Sequence, residues 1–406
     1  MDSASLPGIG RRRLLGLTAA GMAAGASLLG ALPAGAAEIP PGCLPGGADD
    51  RYVANLAAQG KFAGVVLLAH RGRTVLSRGY GLADKEKGIP NGENIAFNLS
   101  SAGKPFGAVA ILQLAQQGKL KLWATVGTHL TGFAPDIEQQ VTIHHMLTGS
   151  SGMDSPDEDV QRIFTSKDEV QAYTEQWARQ SKLVAPPGTP TNHAGSEIAI
   201  PALIVQKVTG QTYWDYVQEN IFDRCGMTGS GFYTRPQWLT DDHIAHPYMT
   251  LADGSQVDAI TNLDQSSPNP AVLGKNPGRA FIDAPGDAGF ATAPDLVRFA
   301  QALGNGTLLA RPYAELLTAP RAPLPPQPQG FRAAASAEAS FAAYDLPVHI
   351  VNGQWVWDRA GGNPGVAANW SSYPCTGWVG VILGNIDGLP LADMSDAQDK
   401  AVTGQS

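Results

Sequence analysis

Two side chains three residues apart carry the groups that a serine nucleophile needs. Ser101 and Lys104 lie in the stretch NLSSAGKPF at residues 98–106. On a helix, residues three apart share one face, so the hydroxyl and the amine would be within reach of each other. A hydroxyl nucleophile needs a neighbouring base, and it needs N–H donors for the oxyanion, which a first helical turn also supplies. The pattern alone also fits an N-cap serine followed by a lysine on a solvated face.

The elements that must position this pair follow a simple order along the chain. Two β-rich runs around a short Gly-containing turn predict a hairpin at 65–78. Helical periodicity runs through residues 101–212, with glycine stops, and strand patterns return at 348–383. Strands first, helices in the middle and strands last predict one antiparallel sheet built from both ends of the chain. The fold class is therefore α/β (α+β) with a helical insertion.

Other stretches give weaker or more local signals. Ser166 and Glu169 form a capping-box pattern that opens a helix to about Ser181. Residues 235–285 are polar and show no period, and residues 319–345 are rich in Pro and Ala and are predicted to be a loop.

The first residues are predicted to be a targeting segment. Arg11, Arg12 and Arg13 precede an uncharged run rich in Gly and Ala, which ends at a small-residue site near Ala36. A mild apolar region behind paired arginines is typical of a twin-arginine signal peptide. The alternative is an uncleaved anchor, because the run is long enough to span a bilayer. The weak hydrophobicity favours cleaved export, to the periplasm or the medium.

Composition excludes several classes of protein. The 406 residues are 43% hydrophobic and 16% charged, enough to bury a large core. The net charge is −8 and becomes more negative once the arginine-rich leader is removed, so nucleic acid is not an expected partner. The three cysteines, Cys43, Cys225 and Cys375, show no metal or redox spacing. His144-His145 lacks the pattern of a metal site, and we expect no metal and no cofactor.

Several short stretches, in their order and spacing, carry a family likeness. They are FNLSSAGK at 97–104, QGKLKL at 117–122, residues 142–153, PGT at 187–189, VTG at 208–210, CGM at 225–227 and GGNPG at 361–365. Over roughly residues 50–385 the chain resembles the serine β-lactamase/penicillin-binding-protein superfamily, specifically its class C-like branch of esterases, D-stereospecific peptidases and acyltransferases. The resemblance implies a β-lactamase/transpeptidase-like fold.

The resemblance also implies roles for the first motif. Ser101 would be the nucleophile of an acyl-enzyme, and Lys104 its base, provided that burial and a nearby cation lower the pKa of the lysine. Ser100 is the alternative nucleophile, but it lies four residues from Lys104, and the family register selects Ser101.

The second family motif, Y-x-N, falls on His193-Ala194-Gly195 and departs from the pattern. A histidine at the tyrosine position is suited to proton transfer, with an ordinary pKa near 6.5. Gly195 cannot replace the substrate-binding amide of the asparagine. The alternative is that His193 is a loop residue in a degenerate site.

The third motif, K-T-G or H-x-G in relatives, corresponds to Arg359-Ala360-Gly361. Arg359 keeps the positive charge and suits a substrate carboxylate, while Gly361 allows close approach of substrate backbone. By resemblance, the N–H groups of Ser101 and Gly362 would form the oxyanion hole. The tryptophans near this motif are candidates for a pocket or for the core of the sheet.

The sequence as a whole predicts an exported serine hydrolase acting on a small-molecule or peptide ester or amide. Loss of the second-motif asparagine makes β-lactam hydrolysis the less favoured activity. An acyltransferase of the same fold and a non-catalytic binding protein are the alternatives. The expected organisation is a leader at 1–36, a linker at 37–49, a catalytic domain at 50–390 (an α/β part at 50–100 and 285–390, a helical insertion at 101–284) and a tail at 391–406.

Overall fold

An eight-stranded antiparallel sheet forms the centre of the fold in the computed structural model, which describes residues 39–190, 194–324 and 337–404. The strands are β1 Gly64–His70, β2 Arg73–Tyr80, β3 Leu82–Asp84, β4 Ile89–Pro90, β5 Phe97–Asn98, β6 Tyr248–Thr250, β7 Gln256–Asp258, β8 Phe290–Ala291, β9 Ala322–Pro323, β10 Ala337–Ala342, β11 Val348–Val351, β12 Gln354–Asn363, β13 Val366–Tyr373 and β14 Trp378–Gly384. The order in the large sheet is β2-β1-β14-β13-β12-β11-β10-β9. The pairing of β1 with β14 joins the two ends of the chain, which confirms the predicted architecture.

Helices cover both faces of this sheet. They are α1 Ala48–Ala58, α2 Pro105–Gln116, α3 Val126–His129, α4 Pro135–Gln140, α5 Ile143–Leu147, α6 Lys167–Ala178, α7 Ser196–Thr209, α8 Tyr213–Val217, α9 Asp223–Cys225, α10 Arg235–Thr240, α11 Ala293–Gly304, α12 Arg311–Thr318 and α13 Leu391–Thr403. Short 3₁₀ turns lie at Pro41–Cys43, Ser100–Gly103, Pro270–Val272 and Pro277–Arg279, and a π-turn at Gln218–Phe222.

Alternation along the strands divides the apolar residues between two layers. Val66 and Ile382 face α1 and α13, where Met394 completes a small cluster. Their neighbours Leu67 and Val381 face the opposite layer, which contains α2 and the main core. Because side chains alternate along a strand, adjacent residues serve different layers. Helix α2, which follows the candidate nucleophile, is therefore held in the middle of the protein.

The structure corrects two local expectations and shows short elements in a third region where the sequence gives no period. Residues Ala337–Ala342 form strand β10 within the predicted loop, because pairing with β11 organises an alanine-rich segment of weak strand propensity. Residues Leu391–Thr403, expected as a tail, form helix α13, which buries Met394 against the sheet. Residues 235–285 contain α10 and the β6–β7 pair, elements too short to show a period.

The cap of α6 forms only in part. Ser166 Oγ accepts the N–H of Glu169 at 3.2 Å, as predicted. The Glu169 carboxylate does not reach back to Ser166 but accepts the N–H of Thr165 at 2.9 Å and pairs with Arg162. The arginine redirects the carboxylate away from the second half of the capping box.

Within the part of the chain that the structure describes, no helix is both long enough and apolar enough to cross a bilayer. The twin-arginine prediction falls on residues 1–36, outside that part. Cys43, Cys225 and Cys375 are all unpaired.

Candidate active site

A strained turn presents Ser101 at the start of the central helix. Ser101 lies in the 3₁₀ turn Ser100–Gly103, and α2 begins only at Pro105. Ser100 has a φ of 46°, in the left-handed region that residues other than glycine rarely adopt. Its hydroxyl donates to the carbonyl oxygen of Gly362 at 3.0 Å. Ser100 is thus buried, and its hydroxyl already has a hydrogen-bond partner. The candidate nucleophile is therefore Ser101, which is partly exposed.

The predicted serine–lysine pair meets at hydrogen-bond distance. Lys104 Nζ lies 2.9 Å from Ser101 Oγ, and the lysine is 3% exposed. Burial lowers the pKa of Lys104, and the nearby Arg359 lowers it further, while Asp287 and Asp345 oppose the shift. Burial disfavours the charged ammonium, so the neutral amine that a general base requires forms more readily than it does in water.

Strand β12 brings the third motif against the same turn. Arg359 Nε donates to the carbonyl oxygen of Ser101 at 2.9 Å. A Cβ at Gly361 would lie 2.7 Å from the backbone nitrogen of Ser101 and closer still to the carbonyl oxygen of Leu99. No side chain fits there without moving the turn. Glycine at this position is therefore required by the close approach of the strand to the Ser100–Gly103 turn, rather than by its φ.

The edge of β12 next to this turn is open. Pairing with β11 ends at Trp357, so the following residues of β12 face the Ser100–Gly103 turn on that side. In an extended strand the N–H and C=O of one residue point to the same edge. Because the carbonyl of Gly362 accepts from Ser100, the Gly362 N–H is directed to the same side of the strand as Ser101.

Carboxylates that no sequence motif singled out surround these groups. Asp345 follows β10 with a φ of 52°, and its N–H donates to the carbonyl of Leu147 at 2.9 Å. Burial raises the pKa of Asp345 to about 7, although the charges of Arg359 and Lys104 act in the opposite direction. The charge of Asp287 raises the pKa of Lys104 and that of Arg359. Such isolated acids in loops have no spacing pattern, and only the fold brings them to the site.

The second motif is only partly within the described residues. His193 lies in the segment 191–193, outside them, so its predicted role stays a prediction. Gly195 is described: its N–H donates to Ser155 Oγ at 3.3 Å, and a Cβ would lie 2.7 Å from Cη2 of Trp177. A side chain at this position, such as the asparagine of the family pattern, would require the ring of Trp177 to shift.

The other candidates serve the framework. Trp370 is fully buried and donates to the carbonyl of Ala102 at 3.0 Å. This bond stabilises the Ser100–Gly103 turn, which is called the nucleophile turn below after its candidate Ser101. His145 accepts the N–H of Thr142 at 3.2 Å, and His144 bonds to the hydroxyl of Tyr344 at 2.8 Å. Among the residues that the structure describes, no group of three or more His, Cys, Asp or Glu side chains could hold a metal ion.

Comparison with known proteins identifies the family. The model of the Beta-lactamase family matches residues 50–405, and the chain belongs to this family. The Bacillus subtilis (strain 168) protein PbpX, whose name places it among the penicillin-binding proteins, is 27% identical over 271 residues, 67% of this chain and 62% of its own. Esterase EstB of Burkholderia gladioli is 42% identical over 93 residues, 22% of this chain and 24% of the relative. Both alignments span less than two thirds of the relatives' own length.

The fold is shared with solved structures of the same kind. A D-amino acid amidase from Ochrobactrum anthropi SV3 superimposes with a TM-score of 0.65 at 18% identity, covering 87% of this chain and 96% of the amidase. The β-lactamase/transpeptidase-like fold predicted from the motifs is confirmed. The proteins that the chain resembles thus include an esterase, by sequence over 93 residues, and an amidase, by fold.

Proposed function

We propose that this protein is an exported serine hydrolase that forms an acyl-enzyme on Ser101 with small ester or amide substrates, including short peptides. The observation that carries the proposal is the 2.9 Å contact between Ser101 Oγ and the buried Lys104 Nζ. A hydroxyl beside a lysine of lowered pKa is the arrangement that nucleophilic catalysis requires.

In the first step, Ser101 Oγ attacks the substrate carbonyl while its proton passes to the neutral amine of Lys104. The negative charge that develops on the carbonyl oxygen is placed between the N–H groups of Ser101 and Gly362. Support for this position comes from the direction of the Gly362 backbone, which faces the turn through its bond to Ser100. The proton then moves to the leaving alcohol or amine, and the bond to that group breaks.

In the second step, water attacks the acyl carbonyl and passes a proton to Lys104, the bond between the acyl group and Ser101 Oγ breaks, and Oγ takes that proton as the acid leaves. We assign His193, in the place where relatives carry a tyrosine, to the proton transfer to the leaving group that ends the first step. Arg359 bonds to the Ser101 carbonyl and is available to a substrate carboxylate. Because Gly195 carries no side-chain amide, small esters and amides are proposed as substrates in preference to β-lactams.

Steady-state hydrolysis of a panel of substrates tests the proposal. The panel contains 4-nitrophenyl esters of increasing acyl length, D- and L-amino acid amides and a penicillin, with Ser101→Ala as the control. We expect Ser101-dependent turnover of esters or amides above that of the penicillin. Turnover that appears only when an alcohol or amine acceptor is added would make the protein an acyltransferase, and no Ser101-dependent reaction with any compound would contradict the enzyme proposal.

Export by the twin-arginine route is the second part of the proposal, and it rests on the arginines at residues 11–13 and the weakly apolar run behind them. In cell fractionation, the full chain should be found outside the cytoplasm and shortened near Ala36. Replacing Arg11, Arg12 and Arg13 with lysine should hold it in the cytoplasm at full length. Unchanged export of that variant would contradict this route.

A further inference from the structure

A chain of hydrogen bonds connects Asp283 to the backbone of the nucleophile turn. The Asp283 carboxylate accepts the Nδ2 group of Asn98 at 3.0 and 3.2 Å. Oδ1 of Asn98 accepts the N–H of Ser100 at 3.0 Å. Asn98 is 4% exposed, so these partners are not exchanged for water. The amide side chain thus bridges a carboxylate to the residue that precedes the nucleophile.

Chemistry fixes the orientation of this bridge. The Ser100 backbone N–H can only donate a hydrogen bond, so the Asn98 atom beside it must be the oxygen, which directs the amide nitrogen at the carboxyl oxygens of Asp283. An asparagine between the two can therefore stand only one way, with its nitrogen toward Asp283 and its oxygen toward Ser100. Without the carboxylate, the Asn98 amide would be free to turn and would lose its hold on the Ser100 N–H.

A second connection starts from the same carboxylate. The N–H of Gly289 donates to Asp283 Oδ2 at 3.0 Å, and the carbonyl of Gly289 accepts the N–H of Leu99 at 2.8 Å. The carbonyl of the preceding Ala288 lies against Gly103, so closely that no Cβ fits there. Asp283 therefore anchors the chain before the nucleophile and the loop that presses on the turn after it.

The site of attachment is the strained residue. A non-glycine residue at positive φ is strained and persists only where its surroundings hold it. Ser100, with a φ of 46°, is held by the N–H bond to Asn98 and the hydroxyl bond to Gly362. Rotation about the Ser100 backbone would swing the N–H of Ser101, the donor that an oxyanion needs, and would displace the adjacent hydroxyl.

We propose that Asp283 is a positioning residue that, through Asn98 and Gly289, holds the Ser100–Ser101 backbone in the geometry required for acylation. The proposal rests on the proposed acyl-enzyme function of Ser101. Keeping this carboxylate has a cost, since burial and the neighbouring Asp287 raise its pKa to about 7 even with the two N–H partners present. A neutral side chain would fill the same space without the free-energy cost of burying a charge.

Acylation rates of matched variants test the proposal. Asp283→Ala and Asn98→Ala should each slow acylation of Ser101 by a fluorophosphonate about 10–100-fold, because small misplacements of reacting groups cost about that much. The double variant should be no slower than the slower single variant, since both changes break one chain. Asp283→Asn keeps an acceptor oxygen for Asn98 and Gly289 and should recover most of the rate.

Asp295 provides the control. It is 1% exposed and accepts the N–H of Gly229 and the hydroxyl of Ser230, both at 2.8 Å, but it has no bond to the nucleophile turn. Asp295→Ala should lower the melting temperature without slowing acylation of the folded protein. Equal acylation by Asp283→Ala and the wild type, or additive losses in the double variant, would overturn the proposal. If Asp283→Ala does not fold, Asn98→Ala against Asp283→Asn makes the same comparison.

Hydrogen exchange separates failure of this proposal from failure of the proposed function. The amides of residues 99–103 should exchange faster in Asp283→Ala than in the wild type and in Asp295→Ala, whether or not the protein reacts with a probe. A wild type that no probe acylates, with this exchange difference present, would contradict the hydrolase function alone. Unchanged exchange would contradict the positioning role.

Discussion

Ser101 and Ser340 each bond to a side chain that can act as a base, and their groups meet opposite faces of strand β12, at Arg359 and Asp358 respectively. Ser101 contacts Lys104 at 2.9 Å. On the other face, Ser340 bonds to Nδ1 of His349 at 2.8 Å, and Nε2 of His349 bonds to Asp358 at 2.8 Å. By residue type, the second group is the nearer match to a Ser-His-Asp hydrolytic triad.

The surroundings separate the two groups. Ser340, His349 and Asp358 lie on three adjacent strands and are 8%, 2% and 5% exposed. Ser340 and His349 are register partners, so the surrounding backbone N–H groups belong to the sheet ladder. Ser101 instead lies in a turn, partly exposed, beside the open edge of β12. Under the proposed function, access for substrate and N–H donors outside the ladder, rather than the presence of a base, distinguish Ser101 from the enclosed Ser340.

The largest effect on this contrast should come from Lys104→Met. Removing the base should lower the rate of Ser101 acylation by about 10²–10⁴, as stopped-flow kinetics with an activated ester would measure. The methionine should cause no loss of stability at pH 7. Because burial lowers the pKa of Lys104, the folded protein binds this proton less tightly than the unfolded chain does. The loss of stability caused by burying Lys104 is therefore complete below the pKa of Lys104 in the folded protein, and it fades as the pH rises to 10.5. If Lys104→Met instead lost stability and kept its acylation rate, Lys104 would be a structural residue and Ser101 would not depend on it as a base.

The next effect concerns Gly361. Gly361→Ala should slow acylation about 100-fold and lower stability, because the added Cβ pushes on the backbone of the nucleophile turn. Gly304→Ala, whose Cβ would meet nothing within 4 Å, is the matched control and should be neutral in both measurements. Equal acylation rates in the two variants would show that the strand does not hold the turn.

A smaller effect is expected from Arg359→Lys. The lysine keeps a positive charge but loses the planar Nε donor to the Ser101 carbonyl. We expect acylation by a neutral ester to fall about tenfold, which corresponds to about 1.4 kcal/mol. A substrate with a free carboxylate should lose more than its methyl ester does, and equal losses would remove Arg359 from substrate binding.

The smallest effect on acylation, and a clear one on stability, should come from the second group. His349→Phe leaves the buried Asp358 carboxylate and the Ser340 hydroxyl without their partner and should cost about 1–3 kcal/mol in denaturant unfolding. The acylation rate of the folded variant should stay within about twofold of the wild type, since effects at separate sites are usually independent. A large loss of rate would mean that the two faces of β12 are coupled.

Much of the fold could be predicted from local patterns. The hairpin β1–β2 and the strands β11 to β14 were visible as runs of β-branched and aromatic residues, and glycine stops marked the ends of the central helices. Strand β10 was not, because its alanines carry no strand signal until β11 pairs with it. Helix α13 was missed because its apolar positions are few and only the sheet shows what they cover.

The site divides in the same way. Four of the candidate site residues lie in short motifs whose residue types already indicate their chemistry, namely Ser101, Lys104, Arg359 and Gly361. The fold brings all four together. Asp283, Asp287 and Asp345 carry no such signal, since their importance depends on contacts with residues far away in the chain. The Ser340–His349–Asp358 group shows the reverse, a constellation with the right chemistry that the sheet encloses.

Fluorophosphonate labelling followed by peptide mass spectrometry shows directly which of the two serines reacts, with Ser101→Ala and Ser340→Ala as paired variants. We expect one adduct on the peptide that contains Ser101, absent in Ser101→Ala and undiminished in Ser340→Ala. An adduct on Ser340, or equal labelling of the wild type and Ser101→Ala, would contradict this expectation.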